Sequence, residues 1–285
     1  MAEQLIEPRR QLFAPALGQA GAAARLAGRR VLVVGAGQRR SGEAEPPVGN
    51  GRAMAVLFAR EGAQVCCADI DADSAGDTAA WIEREGGWAR PLVADVACAE
   101  TIEPLVAAAT QAMGGLDGLV MNVGIANHNP FGHETADAWD AVQNVNLRAH
   151  MLAAQAAAAR MTAGGSMVFV SSTASISPQS GLPAYETSKA ALAALARAVA
   201  FASQTNGLRA NVIAPGLIDT PLGREASRRR PARAARALPF GRQGTAWEVA
   251  YATLFLLGAE SSYVNGQVLI ADGGLSIGAA RSSDD

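Results

Sequence analysis

Short apolar runs recur along the chain, separated by longer stretches in which apolar positions return every three or four residues. The runs are VLVVGAG (31–37), QVCCADI (64–70), PLVADV (91–96), GLVMNVG (118–124), SMVFVSS (166–172), RANVIAP (209–215) and QVLIADGG (267–274). Most lack clean alternation, the pattern of strands covered on both faces. Residues 52–60, 74–85, 99–113, 135–161, 184–205 and 246–258 read as helices between them. Strands that alternate with helices predict an α/β fold, a single Rossmann-type doubly wound domain with a parallel sheet of about seven strands and helices on both faces.

Three segments break the rhythm. Residues 1–28 are an Ala/Gly-rich extension, residues 38–47 interrupt the turn after the first strand, and residues 217–245 form an Arg-rich connection that reads as a substrate lid. The expected catalytic domain covers 29–275, followed by a polar tail at 276–285. In such sheets ligands bind beyond the carboxyl ends of the strands.

Composition narrows the setting. The chain has 285 residues, 49 % hydrophobic, with a formal net charge of −2. That balance gives no general attraction to nucleic acid or anionic lipid, and no apolar run is long enough to span a membrane. The first residues lack a secretory pattern, with Glu3 and Glu7 where a signal would be basic. Cys66, Cys67 and Cys98 form neither a disulfide framework nor a metal motif, and His128, His133 and His150 lack metal-binding spacing. A cytoplasmic protein without a metal is expected.

The first turn carries the phosphate-binding signal. With 38–47 set aside, Val34-Gly35-Ala36-Gly37 joins Val48-Gly49-Asn50-Gly51-Arg52. A strand enters, glycines turn it, and a helix begins, so backbone N–H groups and the helix's positive end can meet a pyrophosphate. Asp69 closes the second strand, with Ile70 after it. Without the ten extra residues it lies 24 positions after Gly35, near the usual interval for an acid that accepts from both adenosine ribose hydroxyls. Such an acid repels a 2′-phosphate, so NAD is expected, with NADP as the alternative. Arg39 and Arg40 in the insertion are either a solvated excursion or clamps for a nucleotide phosphate.

The catalytic signal lies in SSTASISPQSGLPAYETSK. Tyr185 and Lys189 are four apart and share one helix face, and Ser172 lies thirteen residues earlier at the end of a strand. Lys189 is the only lysine, beside 23 arginines, so this position uses a compact ammonium where arginine serves everywhere else. A tyrosine near pKa 10 needs nearby positive charge to act as a base near neutrality. Tyr185 can then take or return the hydroxyl proton of an alcohol, while Ser172 holds the substrate oxygen.

On these residues the chain resembles the short-chain dehydrogenase/reductase superfamily over residues 29–275. Its Y-x-x-x-K is YETSK here, and its T-G-x-x-x-G-x-G turn is present with Val34 for threonine and with the insertion. The resemblance implies that Asn146 holds a relay water for Lys189, and that Asp95 and Val96 meet the adenine ring. In MNVG, Asn122 and Gly124 match the family and Met121 departs from it; Asn122 is expected to be mainly structural. Pro215 and Gly216 are expected to shape the loop at the nicotinamide, with Ile218 and Thr220 touching its carboxamide.

The resemblance also implies a homotetramer, or a dimer, built on the long Ala-rich helices. The expected activity is NAD-dependent interconversion of a secondary alcohol and its ketone. Two alternatives stand beside it: an NADPH-dependent 3-oxoacyl-thioester reductase, and a non-catalytic dinucleotide-binding sensor or structural subunit. The lid arginines at 224, 228, 229, 230, 233 and 236 are either an anion clamp or a solvated helix face, and three consecutive arginines cannot all face one pocket.

Overall fold

The computed structural model describes residues 12–177, 180–234 and 237–278. Arg236 and the ends of the extension and tail lie outside the described residues. Seven strands form one parallel sheet: β1 (Arg30–Val34), β2 (Gln64–Asp69), β3 (Trp88–Val93), β4 (Leu116–Met121), β5 (Met161–Val170), β6 (Arg209–Pro215) and, near the end of the chain, Val268–Ala271. A two-stranded parallel pair, β7 (Ile218–Asp219) with β8 (Gly244–Thr245), brackets the lid, so the last sheet strand is β9. The sheet order is β3-β2-β1-β4-β5-β6-β9, all parallel, and the direction in which successive strands are added reverses between β1 and β4. Loops diverge at that point and leave a crevice.

Alternate residues of β1 feed two cores. Val31 and Val33 pack under α1 (Asn50–Arg60) and under the helix that follows β8, Ala246–Leu257. Leu32 and Val34 join the core of the opposite face, with α3 (Ile102–Met113), α5 (Ala149–Ala158) and α6 (Pro183–Ser203). α2 (Ala72–Arg84) covers β2 and β3; α7 (Pro221–Arg229) and α8 (Pro231–Ala234) form the lid, and Ala246–Leu257 is α9.

Two expectations are corrected, and the extension gains a structural role. β3 lies three residues earlier than the apolar run suggested, because Asp95 Oδ1 accepts the Ala97 N–H at 2.9 Å and turns the chain. The single helix expected over 135–161 is α4 (Ala136–Gln143), a π-helical turn at Asn144–Arg148, and α5. The extension is a strap on its own chain from residue 12 onward. Buried Glu61 accepts the N–H groups of Ala23 and Arg25 at 3.1 and 3.0 Å, while Thr245 Oγ1 donates to Ala16 O at 2.6 Å.

Candidate active site

The opened glycine turn keeps its geometry because each end is pinned separately. Gly35 adopts φ +82°, and the N–H groups of Gly35 and Ala36 both donate to Ala68 O, at 2.8 and 2.9 Å. Asn122 Nδ2 donates to Gly35 O at 2.8 Å, which ties the end of β4 to the turn and gives Asn122 its structural role. A Cβ on Gly51 would lie 1.8 Å from Gly35 O, so α1 approaches β1 only because that residue is glycine. Gly37 donates its N–H to Asp69 Oδ2 at 2.9 Å, and a Cβ there would lie 2.7 Å from that oxygen.

These residues fit a dinucleotide. No side chain caps the start of α1 after Gly49, so its first N–H groups stay available to an anion. Asn50 Oδ1 is buried with no partner among the described residues. Asp69 Oδ1 takes only the Asp71 N–H, at 3.1 Å, and each carboxylate oxygen keeps room to accept a ribose hydroxyl. Ile70 is 65 % exposed at the same edge, an apolar surface suited to a flat base. Val96 is buried beside Asp95.

The insertion leaves and rejoins the turn at one point. Gln38 Oε1 accepts the Gly49 N–H at 2.9 Å, and Ser74 Oγ of α2 receives the Gln38 N–H at 2.5 Å and returns a bond to Gln38 O at 2.9 Å. Beyond this stem the insertion reaches the lid. Glu43 accepts from Arg224 and, at 3.0 Å, from Arg228, and Arg39 pairs with Glu225 at 3.0 Å. Arg40 turns the other way, to Asp73 at 2.7 Å and Asp71 at 3.7 Å. Both insertion arginines are thus neutralised by carboxylates. Gln38 and Ser74 were not singled out from the sequence, where nothing distinguishes them from ordinary polar positions.

The catalytic candidates converge at the carboxyl end of β5. Ser172 caps a 3-10 turn by accepting the Ala174 N–H at 3.2 Å, and its hydroxyl favours the ionised Tyr185 phenol. Burial pushes the Tyr185 phenol up; the Ser172 hydroxyl and the charges of Arg233 and Arg230 oppose that rise. Lys189 Nζ lies 6.0 Å from the Tyr185 ring centroid and donates to Val170 O at 2.8 Å and Val123 O at 3.4 Å. Buried at 4 % exposure, its ammonium is pushed down to about 8 by desolvation.

Asn146 sits on the π-helical turn, a distortion that often marks functional positions. Its Nδ2 donates to Ile125 O at 2.9 Å and Ser188 Oγ at 3.0 Å, while Oδ1 accepts the Ile125 N–H at 2.8 Å. A Cβ on Gly124 would lie 2.9 Å from Lys189 Nζ and 3.6 Å from Asn146 Oδ1. Gly124 therefore leaves a gap between ammonium and amide. Ser188 is a further residue that sequence reasoning missed; its hydroxyl also donates to Tyr185 O at 2.7 Å.

On the far side, Pro215 ends β6 and Gly216 packs so closely that a Cβ would lie 2.6 Å from Asp272 Cβ. Ile218 lies in β7, and Thr220 caps α7 by accepting the Gly223 N–H at 3.0 Å. His128 and His133 lie in the loop after β4, while His150 is fully buried against Phe169 and pushed down to about 3 by desolvation. Among the described residues no cluster of His, Cys, Asp and Glu could hold a metal ion, and no helix is long and apolar enough to cross a membrane.

A glycine turn suited to a pyrophosphate, with a Tyr185–Lys189 pair whose ammonium is buried, is the arrangement of a dinucleotide-dependent oxidoreductase. Known proteins agree. A family model described as enoyl-(acyl carrier protein) reductase matches residues 48–276, beginning where the insertion ends. A 3-oxoacyl-[acyl-carrier-protein] reductase of Thermotoga maritima is 34 % identical, over 89 % of this chain and all of its own length. A 2-(S)-hydroxypropyl-CoM dehydrogenase of Xanthobacter autotrophicus is 34 % identical, over 80 % of this chain and 92 % of its own. A short-chain dehydrogenase of Burkholderia cenocepacia solved in complex with NADP superposes with a TM-score of 0.77 at 33 % identity, covering 88 % of this chain and 99 % of that one. The chain belongs to the short-chain dehydrogenase/reductase family. It is an oxidoreductase acting on CH–OH groups with a nicotinamide dinucleotide, and the sensor alternative is set aside.

Proposed function

We propose that the enzyme interconverts a secondary alcohol and its ketone with NAD, and that Tyr185 is the acid–base group. The observation that carries this reading is the Tyr185 ring with the ammonium of the buried Lys189 6.0 Å from its centroid, on the next turn of the same helix. NAD, when bound, accepts a hydride from the carbinol carbon and its reduced form returns one to the carbonyl. The substrate oxygen sits between the Ser172 and Tyr185 hydroxyls. Tyr185 takes the alcohol proton during oxidation and supplies it during reduction. Lys189, near 8, exchanges protons close to neutrality, and the gap beside Gly124 and Asn146 takes the relay water.

The choice of NAD rests on Asp69 and on the paired state of Arg39 and Arg40, which leaves neither free for a 2′-phosphate. The backbone of Gly35, Gly37, Gly49 and Gly51, with Asn50, would cradle the pyrophosphate; Ile70, Asp95 and Val96 would flank the adenine; Pro215, Gly216, Ile218 and Thr220 would frame the nicotinamide. Reduction of a 3-oxoacyl thioester with NADPH is the second reading, supported by the similarity to the Thermotoga maritima reductase. A homotetramer, or a dimer, is supported by the Ala-rich α5 and α6, where Met151 and Phe201 are exposed. A cytoplasmic setting, and residues 29–275 as the catalytic domain, complete the proposal. The test is a titration with NADH and with NADPH, followed by turnover of secondary alcohols and ketones. Tighter NADH and nucleotide-dependent turnover support the reading; tighter NADPH replaces it with the second, and binding of neither sinks both.

A further inference from the structure

The lid arginines divide into two sets. Arg224 chelates Asp219 at 2.7 and 2.8 Å and reaches Glu43; Arg228 pairs with Glu43, Arg229 with Glu225 at 2.6 Å, and Arg242 with Glu248 at 2.7 Å. Arg230 and Arg233 have no carboxylate partner among the described residues. α7 ends at Arg229, and Arg230 takes an extended conformation (φ −132°, ψ 86°) that swings it away from its two neighbours. Its Nη1 donates to Ser180 O at 3.1 Å, and its Nε is buried without an acceptor. Arg233 Nη1 is held by Gly223 O at 2.9 Å and by Ser227 Oγ.

The Arg230 anchor leads to the reaction centre, while Arg233 is held against α7 of the lid. Ser180 is bonded through its N–H and hydroxyl to Glu186 Oε1, each at 2.7 Å, and Glu186 follows Tyr185 directly. The charges of Arg230 and Arg233 both act on the Tyr185 hydroxyl, and desolvation pulls the Arg233 guanidinium below its ordinary value. Two partly buried cations without counter-charge are costly to hold, and an arginine fork matches a carboxylate.

We propose that Arg230 and Arg233 recognise an anionic group on the substrate, a carboxylate in the simplest case, so that the enzyme acts on hydroxy and oxo acids in preference to neutral alcohols and ketones. This rests on the alcohol–ketone reading above and names its substrate class. The two arginines bind and orient the acid; the proton still moves at Tyr185.

The test compares short oxo acids with their methyl esters, acetoacetate and methyl acetoacetate among them, in the native enzyme and in Arg230→Met and Arg233→Met. Native kcat/KM favours the acid, and each substitution cuts the acid-over-ester ratio by about 30–100-fold, mainly through KM. The ratio is the proper readout because removing either cation also raises the Tyr185 phenol for every substrate. The NADH dissociation constant stays within about twofold, which reports a folded variant and separates a substrate anion from a cofactor phosphate. Esters turned over as well as acids, an unchanged ratio, or a large loss of NADH affinity overturns the proposal. Absence of turnover with any alcohol or ketone, acid or ester, overturns the reading beneath it.

Discussion

The two ends of the crevice treat positive charge in opposite ways. At the glycine turn, Arg39 and Arg40 are matched by Glu225, Asp71 and Asp73, and the lid cations facing the insertion are matched by Glu43. At Tyr185, Arg230 and Arg233 have no carboxylate partner among the described residues, and Lys189 is held by two carbonyls. The matched end serves structure, since exposed pairs contribute little energy each but fix the loop's direction. The unmatched end leaves the charge that the proposed substrate acid would meet. Sequence composition cannot tell the two sets apart, because the arginines look alike and only their partners differ.

The largest effect should come from the unmatched end. Tyr185→Phe should lower kcat by about 10³-fold or more while NADH affinity stays nearly native, measured by turnover and by titration. An active variant would remove Tyr185 from the mechanism. Next in size is the cost of burying Lys189. The folded state releases its proton near 8, against an ordinary 10.5, so between those values the folded form binds fewer protons than the unfolded chain. Unfolding free energy should therefore rise with pH across that window, by up to about 3 kcal/mol relative to Lys189→Met. Parallel pH–stability curves for the two proteins would show that Lys189 is not desolvated.

Predictions for the matched end are smaller. Asp69→Ala should cut the preference for NADH over NADPH by about 10–100-fold, and an unchanged ratio would sever Asp69 from the ribose. Glu43→Gln removes the acceptor shared by Arg224 and Arg228. It should speed NADH release only a few-fold, with the difference from native enzyme vanishing at about 1 M salt. A salt-independent difference would mean that the insertion acts through packing rather than charge.

How much of this was legible depended on range. The apolar runs located all seven strands of the sheet, and the spacing of Ser172, Tyr185 and Lys189 picked out side chains that gather at the carboxyl end of β5, because both patterns are local. β3 slipped because Val93 to Val96 looks as apolar as Trp88 to Leu92, and only the Asp95 side chain marks the turn. The break at Asn144–Arg148 was invisible, since a π-helical turn keeps helical residue types and changes only the hydrogen-bond step. The Glu43 contacts join residues 181 and 185 positions apart, beyond any periodicity. The strap over α1 and α9 was hidden for the same reason: its anchor, Glu61, reads in sequence as an ordinary helix-ending acid.

The stem of the insertion has a consequence for how the protein can be altered. The bond from Gly49 to Gln38 closes the loop on itself, while Asn122, Asp69 and the Gly35–Gly51 contact hold the turn from outside it. Residues 39–47 thus behave as an exchangeable cassette clipped to a finished binding turn. Loops of different length or charge can be grafted there with little change in closure entropy. Such grafts would change the lid contacts of Glu43 and Arg39 while leaving Ser172, Tyr185 and Lys189 in place.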